Sequence, residues 1–188
     1  MARATADTNR IRAKLRGAGM LALASAALAC SACRPAPAST AAAPKSLASA
    51  DPIIIGVAST PKGVLVRASI AEPDLAGDSV RRASQAVRRL ALAVQAGAAD
   101  LPPGASVLTF EIYGVDVDKL GNRTPGRLFA SDYDVNDLKT ADMAATGPAK
   151  ALNLAIDLRI DHAGISPINA WCMRYPHVGG NFCDMAGF

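Results

Sequence analysis

The chain has 188 residues, 51% of them hydrophobic and 19% charged, which is the size and apolar content of one folded domain. These proportions exclude a disordered polymer, a collagen, a multi-span membrane protein and a long coiled coil. The formal charge of +4 suggests a nucleic-acid partner only until the charges are located. Residues 1–29 hold Arg3, Arg10, Arg12, Lys14 and Arg16 against Asp7, so they carry the whole excess. From residue 51 onward, acidic residues outnumber basic ones by two. Binding to phosphates needs a basic footprint that displaces counterions, so no nucleic-acid partner is expected.

The first 29 residues follow the order of a secretory signal. A basic stretch ends at Arg16, an uncharged run from Gly17 to Ala29 follows, and Ala27-Leu28-Ala29 gives a small-x-small cleavage pattern. The run is too short to span a bilayer, which takes about 20 apolar residues. Cys30 comes directly after Ala29. The segment resembles a bacterial lipoprotein signal, in which the cysteine at the cleavage point receives lipid. The resemblance covers residues 1–30 alone, and it departs from the favoured pattern in having Ala27 rather than Leu three places before the cysteine. It implies lipidation at Cys30, a membrane partner through that anchor, and residence in the cell envelope; without the lipid the protein is soluble in the periplasm. Cys33 is then left over. Residues 30–50, rich in Pro, Ala and Ser, read as a tether with little to bury.

A single domain is expected over 51–188. Residues 52–58 and 64–70 are rich in β-branched residues and flank Ser59-Thr60-Pro61-Lys62-Gly63, so they predict a hairpin. Residues 79–97 place Val80, Ala83, Val87, Leu90, Ala91 and Val94 at helical spacing, with Asp78 as the cap. Residues 107–113 alternate and pair with 127–133 across a polar connection. Asp134 or Asn136 is placed to cap a short helical turn at 137–140. Residues 149–160 read as a second main helix, followed by a helical turn near 166–172 and an irregular tail. The order hairpin, helix, hairpin, helix predicts an α+β fold: an antiparallel sheet of about four strands with helices on one face.

Candidate chemistry is sparse. Cys172 and Cys183 sit in the tail, and in an exported protein such a pair is expected to form a disulfide. Zinc held by Cys172, His177, Cys183 and Asp184 is the competing reading, weakened by the lack of a Cys-x-x-Cys pair. Asp116, Asp118 and Asn122 resemble a calcium loop, but Arg127 stands where the bidentate Glu belongs. No nucleophile elbow, phosphate loop or dinucleotide fingerprint occurs, and neither cofactor nor metal is expected. Arg81, Arg82, Arg88 and Arg89 project from the first helix and form the one basic cluster, a candidate interaction face. The leading expectation is therefore a non-enzymatic envelope module that recognises an envelope protein or component. The alternative is a small periplasmic hydrolase using His162 or His177.

Overall fold

Pro61 and Lys62 turn the chain between β1 (Ile54–Thr60) and β2 (Gly63–Ser69), so the first hairpin forms where the turn chemistry places it. The structure, a computed structural model, describes residues 43–71, 77–117 and 120–188. The segments carrying the signal, Cys30, Cys33 and Asp118 lie outside the described residues. After β2 the chain crosses through helix α1 (Asp78–Gln95) to β3 (Val107–Val117). β4 (Arg123–Asp134) returns beside it, and β5 (Ala155–Ile160) completes the sheet.

The sheet has five strands in the order β1-β2-β3-β4-β5, and it is mixed. β2 and β3 are parallel, from Gly63 opposite Val107 to Ser69 opposite Tyr113; the other pairs are antiparallel. This corrects the wholly antiparallel, four-stranded expectation in detail, while the α+β class stands. A strand, a helix and a returning strand form a crossover, and a crossover brings the second strand back parallel to the first.

The alternation of β3 decides which face is covered. Leu108, Phe110 and Ile112 are buried, as are Val64, Val66 and Ala68 of β2 and Phe129, Ser131 and Tyr133 of β4. Their register puts them on one face, under the stripe Val80, Ala83, Val87, Leu90, Ala91 and Val94 of α1. α1 begins at Gly77, whose left-handed φ of 75° suits glycine. A Cβ there would come within 2.9 Å of the Trp171 Cβ, so α1 starts hard against a later helix. Asp78, expected as the cap, instead lies in the first turn and pairs with Arg81 at 3.2 Å. Asp134 does cap α2 (Val135–Thr140), accepting from the backbone N–H groups of Asn136 and Asp137.

Three further expectations are corrected. Residues 149–160 are not a helix: a 3-10 segment covers Pro148–Leu154 and β5 follows. In β5, Leu158 and Ile160 lie opposite Ser131 and Phe129, while Asp157 and Arg159 lie opposite Asp132 and Ala130. That is the period of a strand, and pairing with β4 selects it over the helical spacing of the same residues. The tail is not irregular either. It forms α3 (His162–Arg174) and α4 (Pro176–Ala186), the latter kinked at Gly180. Pro176 sits in the first turn of α4, where its missing N–H costs nothing.

The packed body also starts before Asp51. Leu47 is fully buried and Ala50 nearly so. The Asp100 carboxylate accepts from the N–H groups of Leu47 at 2.6 Å and Ala48 at 3.0 Å, and Ala99 N–H donates to the Lys45 carbonyl at 3.1 Å. A single large apolar side chain, with a carboxylate to satisfy the turn around it, makes the last part of the expected tether part of the domain.

Candidate functional site

α3 and α4 are joined by a disulfide between Cys172 and Cys183, whose Cα atoms are 5.7 Å apart. Trp171, buried beside it, meets Phe182 edge-on with centroids 5.8 Å apart, and Phe182 meets Phe129 of the sheet at 5.6 Å. A Cβ at Gly179 would strike the Cys183 sulfur and the Trp171 ring, so glycine is required where the helices close. Covalent closure and aromatic packing thus lock the C-terminal helices onto the sheet. Cys172, being bonded, is not a nucleophile.

Among the described residues, the face of the sheet opposite α1 carries the densest polar arrangement. Glu111 lies centrally on β3, with its side chain 13% exposed. It accepts from Arg67 Nε at 3.2 Å, Tyr113 Oη at 3.1 Å and Arg127 Nη1 at 3.0 Å. Arg127 turns its other edge to Asp161, with Nε donating at 2.6 Å and Nη2 at 3.3 Å. One strand spacing away, Asp132 accepts from Thr109 at 2.7 Å and from both Arg159 terminal nitrogens at 2.9 Å. Arg159 also reaches Asp157 at 2.6 Å.

Register builds this network. Thr109, Asp132 and Asp157 are successive cross-strand partners, as are Arg67 with Glu111 and Tyr113 with Arg127. Burial alone would raise the Glu111 and Asp132 pKa values, but their donors outweigh it and hold both below the ordinary carboxylate range. Asp161 is lowered chiefly by the hydrogen bonds from Arg127. Arg127, bonded first to Asp161 and then to Glu111, holds its proton more firmly than a free arginine. These carboxylates are therefore fixed as anions at neutral pH, which suits electrostatic positioning and not proton donation. Beside them an open groove of about 430 Å³ is lined by Thr60, Pro61, Lys62, Val107, Thr109, Asp132 and Ile156.

The residues singled out from the sequence do not converge here. His162 opens α3 and His177 lies in the first turn of α4; both are exposed. Each sits in the first turn of its helix. Asp161, next to His162, is occupied by Arg127. Among the described residues, no hydrogen bond joins either histidine to a Ser, Cys or Asp, and no three His, Cys, Asp or Glu side chains form a metal cluster.

The arginines of α1 are largely turned to intramolecular partners. Arg81 pairs with Asp78, Arg88 Nε donates to the Met143 carbonyl at 3.0 Å, and Arg89 pairs with the buried Asp51 at 2.8 Å. Arg82 is engaged as well. Arg88 and Arg89 thereby hold neighbouring segments to the helix. Sequence reasoning missed Arg67, Glu111, Arg127, Arg159 and Asp161. The alternation of β3 does place Thr109, Glu111 and Tyr113 opposite the apolar face, but their partners follow only from cross-strand register.

No protein-family model, curated protein or solved structure matches this chain. No helix of the described residues is long and apolar enough to cross a membrane.

Proposed function

We propose that this is an exported bacterial envelope protein, anchored by lipid on Cys30, whose domain acts as a non-enzymatic binding module for an envelope protein or component. The observation that carries the reading is the chain order: a basic-apolar-small leader ending at Cys30, a short Pro/Ala/Ser tether, then one domain. The charged face of the sheet supports the binding half. Its three arginines, Arg67, Arg127 and Arg159, are paired with four carboxylates, Glu111, Asp132, Asp157 and Asp161, a patterned polar surface suited to recognition of a complementary one. The hydrolase reading rests on His162 and His177, and their exposed positions lend it no support.

Fractionation of the expressing bacterium tests the proposal. The wild-type chain is expected in the membrane fraction, and Cys30→Ser is expected to move it to the soluble periplasm. Crosslinking of the anchored protein, compared with an Arg67→Ala/Arg159→Ala variant, then tests the surface. A partner retained in full by that variant excludes the sheet face. Hydrolysis of an ester, amide or glycoside substrate that depends on either histidine would overturn the non-enzymatic reading.

A further inference from the structure

Donors and acceptors on the face of the sheet opposite α1 do not balance. Every carboxylate of the network is taken by a guanidinium: Glu111 by Arg67 and Arg127, Asp161 by Arg127, and Asp132 and Asp157 by Arg159. Asp134, cross-strand from Val107, is spent on capping α2. Arg127 uses all three of its nitrogens on these acids, and Arg159 uses both terminal ones. Arg67 uses only Nε. Among the described residues its Nη1 and Nη2 make no hydrogen bond, and its side chain is 51% exposed. Lys62, in the turn between β1 and β2, is exposed and makes no ion pair among the described residues. The free cationic ends therefore belong to Arg67 and Lys62, at one side of the network.

The surface between these two cations is low and uncharged. Arg67, Leu65 and Gly63 lie opposite Gly56, Ala58 and Thr60, and directly opposed residues point to the same face. A Cβ added at Gly56 would meet nothing within 4 Å, so the space beside the Arg67 side chain is open. Leu65 is half-buried on the floor midway along β2. At the far end Lys62 forms, with Thr60 and Pro61, one wall of the groove of about 430 Å³. Lys62 and Arg67 are five residues apart, which is roughly 16 Å along an extended chain.

We propose that this strip binds an extended acidic segment of a partner protein, with two carboxylates four residues apart and an apolar side chain midway between them. One carboxylate meets the outer edge of Arg67, whose two terminal nitrogens match a carboxylate's two oxygens. The other meets the Lys62 ammonium, and the apolar side chain lies over Leu65. In an extended segment every second side chain faces the same way, so residues four apart are separated by about 13 Å. The length of the lysine and of the incoming acidic side chains spans the rest. A dense polyanion fits less well, because it lays charge over Leu65 and towards Glu111 and Asp132, which are already anions. The inference rests on the binding-module reading above and names the chemistry of its partner; it does not depend on lipid at Cys30.

NMR titration of the full, isotope-labelled chain with an acetylated and amidated peptide, Thr-Glu-Thr-Leu-Thr-Glu-Thr, tests it. The amide signals of Gly56, Leu65 and Arg67 are expected to shift saturably, and those of α1 to stay in place. Arg67→Gln and Lys62→Gln should each weaken binding by about threefold to fivefold, and added salt should weaken it in the wild type. Arg174→Gln removes the same charge from the last turn of α3 and should leave binding unchanged. Both substituted positions of the strip are exposed, and the remaining amide signals check that each variant is folded. Unmoved β1 and β2 signals overturn the proposal, as does equal binding of the peptide with Gln in place of Glu, or an affinity that neither variant lowers. Tighter binding of inorganic polyphosphate than of the peptide assigns both cations to a dense polyanion and also overturns it. A crosslinked partner lost from the Arg67→Ala/Arg159→Ala variant, with no binding of the peptide, would uphold the binding module and reject its acidic ligand.

Discussion

Replacing Leu47 with alanine should destabilise the domain by about 2–3 kcal/mol. The side chain is fully buried, and the substitution removes three carbons, each contributing about 0.8 kcal/mol when buried. A rigid cavity would raise the loss towards about 5 kcal/mol. Leu47, however, lies near the start of the described chain, and the segment around it is held mainly by the Asp100 carboxylate and the Lys45 carbonyl. Such a segment can shift to fill part of the space, so the lower range applies. For a domain of this size the midpoint of thermal unfolding should fall by roughly 6–10 °C. Urea unfolding of wild type and Leu47→Ala, followed by Trp171 fluorescence, measures the loss directly. Met173→Ala serves as a control, because Met173 is 76% exposed and should change stability by no more than about 0.5 kcal/mol. A Leu47→Ala loss as small as the control's would mean that residues 43–50 belong to the tether and that the domain starts at Asp51.

Reducing the Cys172–Cys183 bond should cost about 2–3 kcal/mol from the entropy of an 11-residue separation, and hydrogen exchange should quicken first in α4; unchanged protection there would refute the lock on the C-terminal helices. Arg89→Gln should cost about 1 kcal/mol, because it strands the buried Asp51, and a stability equal to wild type would show that the ion pair contributes nothing. Glu111, Asp132 and Asp161 have lowered folded-state pKa values. Their contribution to stability is therefore present above the ordinary carboxylate range and lost as pH falls below it. Arg127→Met should flatten that acid limb, since it removes donors to Glu111 and Asp161; an acid limb identical to wild type in urea midpoints taken from pH 7 down to about pH 3 would rule out the network as its source.

The parts of the fold legible in the sequence are those whose periodicity is unambiguous. Val80 to Val94 can only be one face of a helix, and the alternation of Leu108, Phe110 and Ile112 can only be a strand. Residues 149–160 satisfy both periods: Leu152 and Ile156 suit a helix, Leu158 and Ile160 suit a strand. Pairing of Phe129 with Ile160 settles the choice, and that contact spans a distance in sequence that local reading does not reach. The parallel β2–β3 pair was accessible, because a strand, a long helix and a strand in succession already imply a crossover. In the tail, Pro167, Pro176 and the Gly179-Gly180 pair read as breakers, yet Pro176 starts a helix and Gly180 only kinks one. Arg88 and Arg89 of α1 find partners at Met143 and Asp51, both remote along the chain, which is why they resemble part of a free basic face in the sequence. The charge network of the open sheet face depends on register in the same way.

Intact-mass analysis of the protein purified from its native host tests the central claim most directly. The account predicts a chain that begins at Cys30 and carries additional mass from lipid on that residue. A chain that still begins at Met1 or Ala2, recovered from the cytoplasm, would contradict it.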